Sequence, residues 1–299
     1  MLLSTQTHVL SCSFGTVNAV EMLSAAGFDS LDYSMFCMSK DDCILNGDDF
    51  KEYVKKVKSA ADRNSIRFTQ AHAPFSFEMK TSEKEHVEFV KKRIIRAMEI
   101  ASMLEVPIMI VHPMQFRKYS KHGSPKFFKK ANCEFYGDLI PFSEKYGVKI
   151  ACENMWQYNH RKKRIVDSVC ADPQEFIYYI DSQNSPNMVA CMDLGHCELT
   201  GRKTADCIRA MGSRIQALHV HDNYGVNDDH LLPGYGKLDW DEIMKALAEI
   251  NYRGNLTFEA DNFLMPYVND RDGAVKALTL MEHVGRTLIG KFENYKLCV

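Results

Sequence analysis

The sequence predicts an α/β fold in which eight strand–helix units close into a (β/α)8 TIM barrel, with a single domain over residues 1–299. Short apolar segments alternate with longer amphipathic ones, which is typical of a parallel sheet, and the alternation repeats eight times. A doubly wound open sheet is the alternative, but the junction CSFGTVN lacks its G-x-G-x-x-G fingerprint. The chain has 45% hydrophobic residues and is long enough to bury one core of this size.

The strands are predicted in short segments that are apolar or β-branched. In chain order these segments are THVLSC, SLDYSMF, IRFTQAH, PIMIVHP, VKIACEN, NMVACMDLGH, RIQALHVHD and NLTFEAD. Each is followed by a segment whose apolar residues repeat with the 3.6-residue period of a helix. These are TVNAVEMLSAAGF, DDFKEYVKKVKSAADRN, SEKEHVEFVKKRIIRAMEIASMLE, a helix ending near IPFSEKYG, DPQEFIYYIDS, TADCIRAMGS, DWDEIMKALAEINYRG and DGAVKALTLMEHVGRTLIGKF. Ser82 lies three residues before Glu85 and Asp239 three before Glu242, a spacing that predicts the start of two of the helices.

Composition excludes some classes of protein. The formal charge is −2 at pH 7, which gives no overall signature of nucleic-acid binding. No apolar segment approaches the roughly 20 residues of a membrane helix. The start of the chain, MLLSTQTHVLSCSF, lacks the basic segment of a signal peptide. The ten cysteines are scattered without a C-x-x-C pair, which favours reduced thiols, so we expect a cytoplasmic protein that does not bind a membrane.

Metal-capable side chains end six consecutive predicted strands. They are His72, His112, Glu153, Asp193, His219 and Glu259. Because the carboxyl ends of barrel strands surround one mouth, these side chains are expected to converge there. A carboxylate directly after an apolar strand is costly unless it is solvated, paired or coordinated, and one cation satisfies several carboxylates at once. We therefore predict one shared divalent ion, Mn²⁺, Mg²⁺, Co²⁺ or Zn²⁺, at Glu153, Asp193, His219 and Glu259.

The densest group of imidazoles and carboxylates is HVHDNYGVNDDHLLPGYG, residues 219–236. Strand alternation puts His221 on the same face as His219, where it touches substrate or supports a ligand, and Asp222 on the other face, where a structural role is expected. Asp228 and His230 would return over the mouth on the following loop. The segment PGYG allows a tight turn before the next helix.

These motifs resemble the xylose-isomerase-like barrels. The resemblance is carried by CEN at Glu153, DLGH at Asp193, HVHDN at His219, DDHLLPGYG from Asp228 and FEAD at Glu259, and by the early segment AVEMLSAAGFDSLDYS. That family includes sugar and sugar-phosphate isomerases and epimerases, and also barrel-type apurinic endonucleases. The resemblance implies a one-metal site in the first group and up to three metals in the second.

The resemblance also implies roles for individual residues. Glu153 and Glu259 match the pair that transfers a proton through an enediolate, while the metal polarises the sugar oxygens. The matches to substrate-pocket residues are His72, His112, Trp156, His196, His221, Asp228 and His230. In the endonucleases, His72, His112, His196, Asp228 and His230 match further ligands, so a second cation at His196, Asp228 and His230 stays open. Epimerisation and aldose–ketose isomerisation share the enediolate, and the sequence predicts the class containing both.

Two basic segments bear on the choice of substrate. Residues 117–130 and 161–164 hold ten of the 37 Lys and Arg residues and no acid, which leaves 27 basic against 39 acidic residues elsewhere. They follow strand ends and are expected to rim the mouth, either as a solvated surface or as an anion site. Their confinement to two loops, together with Trp156 and the aromatic residues Phe14, Phe36, Phe75 and Phe77, favours a small sugar or sugar phosphate over nucleic acid. The endonuclease and a non-catalytic sugar-binding barrel are the alternatives, and assembly into a homo-oligomer is left open.

Overall fold

The computed structural model describes residues 1–75, 82–115 and 117–298, and Phe77 therefore lies outside the described residues. Eight parallel strands form one sheet. They are β1 (Leu3–Gln6), β2 (Ser30–Ser34), β3 (Arg67–His72), β4 (Ile108–Val111), β5 (Lys149–Glu153), β6 (Met188–Asp193), β7 (Ile215–His219) and β8 (Leu256–Phe258). β8 pairs with β1, and a parallel bridge between Val220 and Phe258 joins the end of β7 to β8. The predicted (β/α)8 barrel is thus confirmed.

Helices connect the strands on the outside of the barrel. They are α1 (His8–Phe14), α2 (Thr16–Ala25), α3 (Phe50–Arg63), α4 (Glu83–Met103), α5 (Pro125–Tyr146), α6 (Pro173–Ser182), α7 (Leu194–Leu199), α8 (Thr204–Met211), α9 (Trp240–Glu249), α10 (Asp261–Leu264) and α11 (Arg271–Lys296). The Ser82–Glu85 capping box is present, and Asp239 caps α9 by accepting a hydrogen bond from the Glu242 amide. Within the described residues, every helix is too short or too polar to cross a lipid bilayer.

The first predicted strand is wrong. The segment THVLSC falls mainly in α1, and β1 is the preceding segment Leu3–Gln6. Three of the four residues of β1, Ser4, Thr5 and Gln6, are polar and yet buried. An apolar pattern therefore does not predict this strand. The remaining seven predicted strand segments each contain a strand.

The lower interior of the barrel has two unlike halves. Between β4 and β7 it is apolar, filled by Ile108, Ile110, Ala151, Val189, Cys191 and Ala217. Between β8 and β3 it is polar and hydrogen-bonded: Gln70 Nε2 donates to Asp32 Oδ2 at 2.7 Å, and Thr257 Oγ1 donates to Gln70 Oε1 at 3.3 Å. Both halves are buried, and in the polar half these hydrogen bonds offset part of the cost of burying Asp32, Gln70 and Thr257.

Candidate metal centre and active site

Strand alternation brings the predicted site residues to the barrel mouth. Successive residues of a strand point to opposite faces, so a residue two positions after an inward-facing one also faces inward. Glu153 follows Ala151 in this way, Asp193 follows Cys191, and His219 follows Ala217, where all three preceding residues belong to the apolar interior. Each of these strands therefore ends with a ligand-type side chain directly above an apolar floor.

Glu153, Asp193, His219 and Glu259 meet at the base of the mouth, and we call them the deep cluster. One potential ligand atom from each residue lies within 4.8 Å of those of the others, and all four residues are buried. Nδ1 of His219 lies 2.9 Å from Oε1 of Glu153 and 2.9 Å from Oε2 of Glu259. Two carboxylates thus face a single imidazole nitrogen, as they would around a proton or a metal ion.

The electrostatics of the deep cluster fit a divalent cation. Burial acts to lower the pKa of His219, but Cys191, Glu259 and Glu153 raise it well above its usual value. Burial acts to raise the pKa of Glu153, yet His219 and His112 lower it well below its usual value. Glu153 and Glu259, whose pKa values are both lowered, therefore stay ionised, and the cluster needs positive charge among its carboxylates. Three carboxylates and one imidazole are a donor set that suits Mn²⁺, Mg²⁺, Co²⁺ or Zn²⁺.

A second group, His196, His221, Asp228 and His230, lies nearer the solvent, and we call it the outer cluster. Oδ2 of Asp228 accepts a hydrogen bond from Trp156 Nε1 at 3.0 Å and lies 3.3 Å from His196 Nε2 and 3.2 Å from His230 Nε2. Burial acts to lower the pKa of His230, but its hydrogen bond with Asp228 raises it to about 10. One carboxylate is therefore already shared by an indole and two imidazoles.

Backbone carbonyls orient three of the mouth histidines. Nδ1 of His72, His196 and His230 lies 2.7, 2.8 and 2.7 Å from the carbonyl oxygens of Ala73, Asn154 and Glu259. Because a carbonyl only accepts, each Nδ1 carries the proton and donates it. Each Nε2 is then fixed toward the mouth, as in metal sites and in substrate pockets.

Both clusters open onto one cavity of about 570 Å³. Its walls include Glu153 and Glu259 from the deep cluster and six of the predicted substrate-pocket residues: His72, His112, Trp156, His196, Asp228 and His230. Phe75, Met114 and Met155 add an apolar side. Asp193 and His219 are fully buried beneath this surface. A polyhydroxylated ligand of a few carbons matches this mixture of one apolar wall and convergent polar groups.

His221 is placed differently from the other predicted substrate-pocket residues. It is fully buried and is absent from the cavity wall. Its Nε2 lies 3.1 Å from both carboxylate oxygens of Asp193, and its ring stacks on that of His230. A Cβ atom at Gly195 would come within 2.1 Å of this ring, which explains the glycine in DLGH. The placement favours support of Asp193 over contact with substrate.

Asp222 shapes the loop that carries the outer cluster. Its carboxylate accepts hydrogen bonds from the Gly234 and Leu238 amides at 2.9 and 3.1 Å and from Trp240 Nε1 at 2.8 Å. A Cβ atom at Gly236 would clash with the same carboxylate. These contacts hold the loop over the mouth, in keeping with the structural role expected of Asp222.

Three residues at the site were not predicted from the sequence. Gln6 Nε2 donates to Glu259 Oε1 at 2.7 Å, Asp32 Oδ2 lies 3.8 Å from His219 Nε2, and Asn154 pairs with the backbone of Asp193 at 2.8 and 2.9 Å. Gln6 was missed with its strand. Asp32 could have been predicted, because a carboxylate within the strand segment SLDYS indicates a buried and functional acid. Asn154 follows Glu153 directly and gave no signal of its own.

The two basic segments meet in a second cleft. A hairpin that the sequence did not predict, Trp156–Asn159 paired with Arg164–Asp167, carries residues 161–164 at its exposed turn. These four residues line the cleft together with Lys118 and Lys121 of the other segment and Lys203 and Lys237. Trp156 at the base of the same hairpin belongs to the wall of the first cavity. The cleft therefore adjoins the mouth.

The fold and the two clusters define a (β/α)8 barrel with an acidic and histidine-rich centre at its mouth. The chain belongs to the xylose isomerase-like TIM barrel family, whose model matches residues 20–283, and the predicted resemblance is confirmed. A curated relative is a D-psicose 3-epimerase of Enterocloster bolteae, 26% identical over 250 residues, which cover 80% of this chain and 75% of that protein.

Solved structures show the same fold at lower sequence identity. A D-tagatose 3-epimerase-like protein superimposes with a TM-score of 0.73 at 22% identity, covering 97% of this chain and 99% of that one. The IOLI protein, solved with a zinc atom bound, has a TM-score of 0.73 at 19% identity, covering 98% and 99% of the two chains.

Proposed function

We propose that this protein is a divalent-metal-dependent isomerase that epimerises or isomerises a sugar or sugar phosphate through an enediolate. One observation carries the proposal: Glu153 and Glu259 both line the cavity, and both approach the same nitrogen of His219 at 2.9 Å. Two carboxylates on either side of one centre can remove a proton from carbon and return it, on the same or the opposite face.

The residues of the deep cluster divide the work. Glu153, Asp193, His219 and Glu259 would hold the cation, which supplies Lewis-acid stabilisation of the developing oxyanion. Glu153 and Glu259 act as base and acid at the carbon next to the carbonyl. Gln6 holds Glu259 in place by its 2.7 Å hydrogen bond, and His221 does the same for Asp193.

The outer cluster and the aromatic wall bind the substrate. Nε2 of His196 and His230 faces the cavity beside Asp228, so these groups can exchange hydrogen bonds with sugar hydroxyls. Trp156 and Phe75 cover the apolar face of the ring. The relationship to a D-psicose 3-epimerase and the fold shared with a protein that binds zinc support a sugar substrate and a metal, respectively.

The basic cleft supports a substrate that carries an anion, such as a phosphate. Arg161, Lys162, Lys163 and Arg164 are exposed, and within the described part of the chain no acidic group lies within salt-bridge distance of them. By contrast, Lys121 and Lys237 are paired with Asp167 and Glu198. Four unpaired cations beside the mouth would attract an anionic sugar.

The second candidate is an endonuclease acting at abasic sites. His72 and His112 lie beside Glu153, and the outer cluster could hold a further cation, as the matching endonuclease positions do. The Trp156 hydrogen bond supports the isomerase, because it ties Asp228 Oδ2 to an aromatic side chain of the cavity wall, while Asp228 Oδ1 stays open to a second cation.

Hydrogen exchange separates these functions. Candidate ketoses and their phosphates are incubated with metal-loaded enzyme in D₂O, and deuterium is expected on the carbon next to the carbonyl. Glu153→Gln and Glu259→Gln should each abolish the exchange, with metal content measured in parallel because both residues are proposed ligands. Cleavage of abasic duplex DNA that depends on Glu153, without exchange on any sugar, would establish the endonuclease instead. Binding of sugar with neither reaction would indicate the non-catalytic barrel.

The domain limits of 1–299, the cytoplasmic location and assembly into a homo-oligomer remain predictions from the sequence.

A further inference from the structure

Two cysteines in the loop after β2 stand apart from the chemistry of the mouth. Cys37 lies in the short 3-10 segment Phe36–Ser39, and Cys43 directly precedes a second one, Ile44–Asn46. Their Sγ atoms are 2.6 Å apart. Another close pair in this protein, Cys152 and Cys170, has its Sγ atoms 3.6 Å apart. Cys37 and Cys43 are thus much nearer to the ~2.05 Å of a disulfide bond.

The backbone around the pair is already fixed. Nδ2 of Asn46 donates to the carbonyl oxygens of Met38 and Lys40 at 3.1 and 2.7 Å, which joins the two sides of the turn. Met38 and Leu45 are buried and anchor the turn to the core. The two sulfurs therefore need only a small movement to bond.

The pair is also accessible and chemically asymmetric. Cys37 is exposed and Cys43 is half-buried, whereas Cys152 and Cys170 are buried. The hydrogen bond with Cys37 lowers the pKa of Cys43 to about 7, although burial opposes this. The same hydrogen bond and burial raise the pKa of Cys37. A thiolate, the reactive form of cysteine, is therefore found mainly on Cys43.

We propose that Cys37 and Cys43 form a reversible thiol–disulfide site that reacts with a low-molecular-weight disulfide such as oxidised glutathione. The Cys43 thiolate attacks one sulfur of glutathione disulfide, and the S–S bond breaks to release one glutathione thiolate, which takes up a proton. Cys37 then loses its proton and attacks Cys43 Sγ, releasing the second glutathione. The two protein thiols are oxidised to one disulfide, and one glutathione disulfide is reduced to two thiols.

The modified loop touches the mouth. Phe36, the neighbour of Cys37, packs its ring 4.7 Å from that of His72 and 4.8 Å from that of Phe75. Both partners line the first cavity. A disulfide in this loop would therefore restrain part of the wall that faces the substrate.

The test is mass spectrometry of the full-length protein after incubation with oxidised glutathione at pH 7. We expect the loss of two hydrogen masses, reversal by dithiothreitol, and one linked peptide pair containing Cys37 and Cys43. The variant Cys37→Ser should stop at a mixed disulfide on Cys43. The serine hydroxyl of this variant can still donate to Cys43, as the Cys37 thiol does in the native protein, so the pKa of Cys43 should stay near 7 and this adduct should form about three times faster than one at an ordinary exposed thiol. Cys298→Ser removes another exposed thiol and should leave the intramolecular disulfide unchanged.

Two results would overturn the proposal. One is that both thiols remain free, or carry glutathione without becoming linked, while the protein is folded. The other is that Cys37 in a Cys43→Ser variant forms its adduct as fast as Cys43 does in Cys37→Ser. Neither readout depends on the sugar reaction.

Discussion

The deep and outer clusters each have four members, and both open onto one cavity, but they differ in charge. The deep cluster has three carboxylates and one imidazole, and the outer cluster has three imidazoles and one carboxylate. The deep cluster needs a cation to offset its negative charge. In the outer cluster, Trp156, His196 and His230 already share Asp228 Oδ2, while Asp228 Oδ1 and His221 Nδ1 have no hydrogen-bond partner among the described residues.

Residue type alone therefore does not define a metal site in this protein. Both clusters consist of ligand-type residues from strand ends, the short helix α7 and one loop, and both bring their atoms within 4.8 Å of one another. What separates them is the ratio of carboxylates to imidazoles, which is three to one in the deep cluster and one to three in the outer cluster. We therefore assign the cation to the deep cluster and the hydroxyl groups of the substrate to the outer cluster.

The largest expected effect is loss of the cation from the deep cluster. Asp193→Ala and His219→Ala each remove one of four ligands and should weaken Mn²⁺ binding by more than ~100-fold, since even supporting residues around a metal are worth 10- to 100-fold. Titration followed by electron paramagnetic resonance measures this, with elemental analysis of protein purified without chelator. Full metal occupancy in both variants would show that Asp193 and His219 are not ligands of the cation.

A smaller effect is expected in the outer cluster. Asp228→Asn keeps the shape of the side chain but removes the charge shared by His196 and His230, and should slow sugar hydrogen exchange roughly 30-fold with the metal retained. The pKa of His230, about 10 in the native protein, should fall. The raised pKa of His230 stabilises the folded protein fully below about pH 6.5, and this contribution is lost as the pH rises through 10. The variant should therefore lose most stability at and below about pH 6.5, somewhat less at pH 7 and least at pH 10 and above.

The neighbouring substitution Asp229→Asn is the matched control and should change neither property. Loss of the metal in Asp228→Asn would show instead that the outer cluster holds the cation. Exchange kinetics, metal analysis and thermal unfolding at pH 7 and pH 10 distinguish these results.

Protons should compete with the cation in the deep cluster. Without metal, the raised pKa of His219 means that its imidazole carries a proton at pH 7. Metal binding must displace it, so affinity should rise with pH, by about tenfold per unit where one proton is released. Calorimetry in two buffers of different ionisation enthalpy counts the protons. Release of none would contradict the electrostatic account of His219.

The smallest effect is expected at the basic cleft. Replacing all four residues 161–164 with glutamine should raise KM for a phosphorylated substrate about fivefold and leave kcat nearly unchanged. The reason is that these basic side chains bind the phosphate at a distance from the reacting carbon. The matched control is the double variant Lys55→Gln and Lys56→Gln on an exposed face of α3. An unchanged KM would show that the hairpin turn is a solvated surface and does not bind the substrate anion.

The sequence predicted the mouth better than its internal arrangement. Glu153, Asp193 and His219 could be found because each ends an apolar strand, and alternation then fixes the face on which they lie. β1 could not be found in this way, because its inward residues are polar and are stabilised by partners from other strands. Because β1 was not predicted, Gln6 was not predicted as a site residue either. The burial of His221 depends on the absence of a side chain at Gly195, a packing detail that periodicity does not report.

The most direct test of the division between the clusters is anomalous diffraction from crystals of the protein soaked with Mn²⁺. We predict one strong peak at the base of the mouth, about 2.0–2.4 Å from carboxylate oxygens of Glu153, Asp193 and Glu259 and from Nδ1 of His219. A bound ketose should then lie between that peak and the outer cluster, with its carbonyl carbon next to the two glutamates. A principal peak on His196, Asp228 and His230, with the deep cluster empty, would contradict the account.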